Sequence, residues 1–311
     1  MKHAYLVIAH EQFGQLEKLL KTLDHPGNDI FLHIDKTATL TPQAKTALEQ
    51  ACVHSPLYFV ERQSVHWGGY SQVLTEVTLL EAAVSHGTYG YYHLLSGVDL
   101  PLQTQSYIHA FFEENNGYEF LTFSGEDICE RVRPADRIRY WHPFMDHPLP
   151  SPFFNKLLMK GQGALLKLQK LFRVDRLKGK NITVGYGSNW FSITHDLATY
   201  VVSQKEQIRR TYRSSLCADE VFLHTLVVNS PFNDKVYIRE GVHDLPTDKQ
   251  GNRRYINWWD GSPYTWREKD IPQLLEAKEQ GYLFSRKFSE KTDEAVVNYL
   301  YHMIIDSQSA Q

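Results

Sequence analysis

The chain has 311 residues, 42% hydrophobic and 22% charged, a balance that suits a globular protein and excludes bulk disorder. Its formal net charge of -3 leaves no global basic field to hold a nucleic acid. Cys52, Cys129 and Cys217 are odd in number, far apart and without any C-x-x-C pair, which argues against a disulfide framework or structural zinc and suits a reducing compartment.

In chain order, "YLVIAH" (Tyr5 to His10) reads as a buried strand, its apolar run far below the roughly 20 residues that span a bilayer. Phe13, Leu16, Leu19, Leu20 and Leu23 then recur at helical spacing. "DIFLHID" (Asp29 to Asp35) is a second strand, "TPQAKTALEQA" a helix with Thr41 as cap and Pro42 at its first position, and "LYFVE" a third strand. A helix from about Tyr70 to Ser85, the strand "YYHLLS", a helix near Ser106 to Glu114 and the strand "EFLTF" continue the alternation. Such alternation predicts an α/β fold with a mostly parallel central sheet and helices on both faces.

Ligands of such sheets sit outside the carboxyl ends of the strands, which brings forward His10, Asp35, Trp67 and Asp99. Neither a G-x-G-x-x-G after the first strand nor a P-loop motif occurs. Asp-x-Asp, a common divalent-metal motif of nucleotide-sugar enzymes, is absent too, so no metal ligand set is expected. His224 stands four residues after Glu220, a spacing read as a histidine that orients the glutamate or is merely packed. Between Arg131 and Lys180 the pattern loosens into a Pro/Arg/aromatic stretch and the Leu/Lys segment "NKLLMKGQGALLKLQKLFRVDRLKGK". That segment reads as an amphipathic helix packed on the protein or, alternatively, as a peripheral membrane contact.

Six segments then share one resemblance: "FLHIDK", "VHWGGYSQVLTEVTLLEAA", "YYHLLSGVDLPLQT", "GSNWFSIT", "ADEVFLHTLVVNSP" and "LFSRKF". Together, and in this order, they resemble the core-2/I-branching glycosyltransferases, which include β-1,6-N-acetylglucosaminyltransferases and peptide O-xylosyltransferases. The resemblance implies a single GT-A-like domain over 1–311, with a nucleotide-sugar-binding half at 1–122 and an acceptor and catalytic half at 123–311. It further implies an inverting, metal-independent transfer of N-acetylglucosamine or xylose from a UDP-sugar to a hydroxyl of a carbohydrate or glycoconjugate acceptor.

Residue by residue, the resemblance makes Glu220 the catalytic base and assigns Asp35 to uracil. It places Trp67, Gly68 and Asp99 at the donor site and gives the diphosphate to Arg286 and Lys287. Ser188, Asn189 and Trp190 fall at the sugar pocket. Glu126 in "FLTFSGED" and Trp259 in "NWWDGS" are acceptor-side candidates. Local readings stand beside these: Trp67 and Trp190 as core aromatics, Asp35 and Asp99 as turn formers, and Asp219 with Glu220 as a negatively charged helix start. The family's animal members carry an N-terminal anchor, a stem and many cysteines that do not match here. The expectation is a compact cytoplasmic enzyme, at most peripheral at the inner face of a membrane. A non-catalytic binding protein of the same fold, or a glycoside hydrolase pairing Asp219 or Glu220 with Asp99, are the competing readings.

Overall fold

The computed structural model describes residues 1–146, 151–261 and 263–309. Its strands are β1 (His3–Ala9), β2 (Asn28–Ile34), β3 (Leu57–Phe59), β4 (Tyr91–Ser96), β5 (Leu100–Pro101), β6 (Phe120–Phe123), β7 (Gly187–Thr194), β8 (Arg254–Ile256) and β9 (Phe284–Arg286). The first helices are α1 (Phe13–Leu23), α2 (Pro42–Gln50), α3 (Tyr70–His86), α4 (Gln105–Glu114), α5 (Glu126–Val132) and α6 (Pro134–Arg139). They are followed by α7 (Pro152–Leu171), α8 (His195–Ser203), α9 (Lys205–Tyr212), α10 (Phe222–Val228), α11 (Ile271–Glu279) and α12 (Glu294–Ser309).

The main sheet has the order β3-β2-β1-β4-β7-β6, and a small sheet has the order β5-β9-β8. β1, β2, β3 and β4 pair in parallel, while β7 is antiparallel to both of its neighbours. The α/β expectation of a mostly parallel sheet therefore holds, with β7 as the reversed strand. The reversal has a positional consequence. The first residues of β7 lie beside the last of β6, in the pairs Phe123 with Gly187 and Thr122 with Ser188, so Gly187 to Trp190 emerge at the edge where the parallel strands end.

Period-two alternation along β1 explains the layering. Tyr5, Val7 and Ala9 enter a core with Leu16, Leu19 and Leu20 of α1 and Val296 and Leu300 of α12. Ala4 and Leu6 enter the opposite core with Val73, Val77 and Leu80 of α3 and Leu197 of α8. Thr41 caps α2 by accepting from the amide of Ala44, with Pro42 at the first turn as expected. Among the described residues no helix is long and apolar enough to cross a membrane, and the three cysteines are free.

Candidate active site at the carboxyl edge of the sheet

Asp219 and Glu220 do not open the helix that follows them. Both lie in a 3-10 turn, Ala218–Glu220, and α10 begins only at Phe222, with no side-chain cap. The negatively charged helix start read from the sequence is therefore a separate turn, and the two acids face different surroundings.

Glu220 lines a small cavity with Thr122 and Ser124 of the β6 edge, Tyr186, Ser188 and Trp258. Its Oε2 accepts from Arg137 Nη1 at 2.5 Å and from the Tyr186 hydroxyl at 3.1 Å, while Oε1 has no hydrogen-bond partner among the described residues. Arg137, on α6, also donates to the carbonyl of Cys217 and stacks 4.9 Å from the centre of the Tyr186 ring. One oxygen of the carboxylate is thus fixed and the other is open to a further hydrogen-bond donor. Arg137 and Tyr186 were not expected, since nothing in the Pro/Arg-rich segment or the turn before β7 marks a partner so far along the chain.

Asp219 turns inward and is 6% exposed. Its Oδ2 accepts from Gln72 Nε2 at 3.0 Å, Oδ1 has no partner among the described residues, and the neighbouring acid is the fully buried Glu76 of α3. Burial and the charge of Glu220 push Asp219 up to about 7, and burial together with Asp219 drives Glu76 well above the usual carboxylate range. Asn189 hydrogen-bonds Glu76, so the side chain of Asn189 belongs to this buried seam. His224 is fully buried as well, bonded to the carbonyl of Thr122 and lowered to about 4 by burial. Of its two readings the packed one holds, since no hydrogen bond joins it to Glu220.

A second cluster surrounds Arg286. Its guanidinium stacks 4.0 Å from the centre of the Trp190 ring, and Nη1 lies 3.6 Å from Asp99 Oδ1, beyond hydrogen-bond reach. Nε and Nη1 are buried without hydrogen-bond partners among the described residues. Asp99 is itself buried, accepting from the amide and hydroxyl of Ser96, and it also attracts the fully buried Arg254, which burial lowers to about 9. Two guanidiniums against one carboxylate leave an uncompensated positive charge in a desolvated place, a receptive environment for an anion. Half-buried Lys287 stands next in sequence and forms no ion pair among the described residues. Ser188 and Trp190, two residues apart on β7, link the two clusters: one lines the Glu220 cavity and the other carries Arg286.

The remaining expected residues are distributed around this edge. Asp35 is fixed by its own loop, Oδ1 accepting from the amide and hydroxyl of Thr37 and Oδ2 from the amide of Val65. Burial opposes the charged form, yet these bonds hold the carboxyl below its usual range. Trp67 is 82% exposed and so is no core residue. Gly68 adopts φ 75°, a left-handed conformation that favours glycine, and its carbonyl accepts from the amide of Cys217, joining the "HWGG" turn to the Glu220 loop. At Gly69 the close approach is made by Asp146, which accepts from the amides of Tyr70 and Ser71 and would lie 2.0 Å from an added Cβ. Glu126 is exposed on a neighbouring depression with Arg239 and His243, separated from Glu220 by Ser124. Trp259 packs against Tyr255, whereas its neighbour Trp258 lines the Glu220 cavity. Ser262, at the end of the same motif, lies outside the described residues. No three His, Cys, Asp or Glu side chains converge as a metal site among the described residues.

An α/β protein with a pinned carboxylate and a buried cationic cluster at the carboxyl edge of its sheet has the parts of a group-transfer enzyme acting on an anionic substrate. The model of the Core-2/I-Branching enzyme family matches residues 3–279, and the chain belongs to that family of glycosyltransferases. It is 23% identical to Xylosyltransferase 2 of Mus musculus over 316 residues, covering 96% of this chain and 33% of the relative. Xylosyltransferase oxt of Drosophila pseudoobscura pseudoobscura is 23% identical over 305 residues, covering 94% of this chain and 32% of the relative. The chain thus spans about a third of the length of the curated relatives it matches. Among solved structures, the apo form of mouse Xyloside xylosyltransferase 1 aligns with TM-score 0.34 and 11% identity, over 87% of this chain and 93% of that one. Core-mannan synthase A from Aspergillus fumigatus, in its Mn/GDP form, aligns with TM-score 0.34 and 13% identity, over 73% and 69%.

Proposed function

We propose that the protein is a metal-independent inverting glycosyltransferase that moves a sugar from a UDP-sugar to a hydroxyl of a carbohydrate or glycoconjugate acceptor. The observation that carries this reading is Glu220, held through Oε2 by Arg137 and Tyr186 with Oε1 unpartnered among the described residues. In the proposed step the acceptor oxygen attacks the anomeric carbon from the face opposite UDP and its proton passes to Glu220. The bond from that carbon to the β-phosphate oxygen breaks as the new glycosidic bond forms. A single in-line displacement turns an α-linked donor into a β-linked product.

The negative charge that grows on the departing diphosphate falls to Arg286 and Lys287. Arg286 offers Nε–H and Nη1–H groups that are already desolvated and oriented by Trp190, which suits stabilisation of a developing charge. Asp35 is assigned to the uracil, using the acceptor capacity that Thr37 and Val65 leave unused. The relatives' names favour xylose over N-acetylglucosamine as the transferred sugar. The hydrolase reading loses support because Asp219 faces Gln72 and Glu76 while Asp99 faces Ser96 and Arg286, so neither shares the cavity of Glu220.

The test is incubation with UDP-xylose and, separately, UDP-N-acetylglucosamine, with a panel of sugar acceptors, in EDTA and in manganese. The expected outcome is UDP release with a β-anomeric product by NMR, undiminished by EDTA. Turnover that requires manganese, or retention of the α configuration, would contradict the proposal.

A further inference from the structure

A surface helix normally turns its apolar side to the body of the protein, and α7 leaves a large part of its apolar side in water. Gln162 and Gln169 are buried and tie the helix to the body, Gln162 to the ring of His142 at 2.8 Å and Gln169 to the backbone of Trp141 at 2.7 and 3.0 Å. Leu157, Leu168, Leu171 and Phe172 are all exposed, the last two at 74% and 75%. At about 100° per residue, Leu157, Gly161, Ala164, Leu168 and Leu171 fall along one stripe, roughly opposite the buried glutamines. Lys156, Lys160 and Lys167 fall along one flank of that stripe and form no ion pairs among the described residues. From Ser151 to Val174 the chain carries Lys156, Lys160, Lys167, Lys170 and Arg173 and no Asp or Glu. Elsewhere, exposed large hydrophobic residues such as Val53, Tyr107 and Leu245 are scattered along the chain.

We infer that α7 seats the protein on an anionic phospholipid bilayer, its leucine stripe entering the headgroup boundary while the lysine row meets the lipid phosphates. An exposed apolar stripe edged by lysines, on a helix with no acid, is the chemistry that an anionic interface selects. A second copy of the chain fits the surface less well, because an antiparallel two-fold contact through α7 would set one lysine row against another. α7 is the next helix in sequence after α6, whose Arg137 holds Glu220.

The experiment is co-sedimentation of the full chain with phosphatidylcholine vesicles, with and without phosphatidylglycerol, at low and high salt. Wild-type protein is expected to pellet with the anionic vesicles only and to be released by salt. Each lysine contributes roughly a fivefold change in partitioning, so K156E/K160E/K167E should bind at least about 100-fold more weakly. L157S/L168S/L171S should also lose binding. These side chains are exposed, so the melting temperatures of both variants should stay near that of wild type. If either variant melts lower, the salt response of the wild-type protein decides. No sedimentation with anionic vesicles, equal binding to neutral ones, or variants that bind like wild type would overturn the inference. A lipid-free dimer that L168S dissociates would overturn it in favour of self-association.

Discussion

Two contacts decide how Glu220 can act. Arg137 and Tyr186 both address Oε2, so the carboxylate is anchored at one oxygen. Replacing Arg137 by Met removes the anchor while leaving the acid. Misplacement of a reacting group costs on the order of 100-fold, so R137M should lower kcat by about that much while donor KM changes little. Unchanged kcat in initial-rate measurements would show that the contact does not position the base. Arg286 is the other decisive residue, because its guanidinium has buried N–H groups without hydrogen-bond partners among the described residues. Hydrogen bonds to charged groups contribute enough that Arg286→Ala should weaken UDP affinity roughly 10- to 100-fold by calorimetry. Arg286→Lys should not recover it, since lysine keeps the charge but loses the fork and the stack on Trp190. Wild-type affinity in either variant would remove Arg286 from the diphosphate.

At the level of elements, the seam between α3 and the 3-10 turn buries Asp219 against Gln72 and Glu76. Burial, with the charge of Glu220, raises Asp219 to about 7. An acid raised in the folded state holds its proton there while the unfolded chain releases it. The associated stability is therefore complete below the unfolded value, near 4, and is lost as pH rises through about 7. Asp219→Asn cannot ionise, so its melting temperature relative to wild type should improve between about pH 4 and about pH 8. A difference that stays constant with pH would contradict the buried, protonated state. Glu220 and Asp219 are adjacent in a helical-looking run, and only the 3-10 geometry separates a cavity-lining acid from a buried one. The alternation of β1 and the 3.6-residue spacing of α1 were legible because one face of each is buried. The reversal of β7 was not, because strand direction depends on the long connection from β6 rather than on the residues of the strand.

Across the whole molecule, the reversed β7 brings the two clusters to one edge, with Ser188 toward Glu220 and Trp190 under Arg286. The sequence motifs located both clusters but not their partners. Arg137 and Tyr186 reach Glu220 across 83 and 34 residues of chain, a pairing that only the assembled fold creates. Trp258 and Trp259 could not be told apart from composition, since their difference lies in which core each faces after β8. The same assembly makes the central claim testable with one substitution. Glu220→Gln keeps the size of the side chain and an oxygen that can accept from Arg137 and Tyr186, but it cannot take a proton from the acceptor. The decisive measurement compares transfer with UDP binding in that variant. Turnover is expected to fall about 100-fold or more with UDP affinity unchanged, and wild-type turnover in E220Q would contradict the role of Glu220 as base.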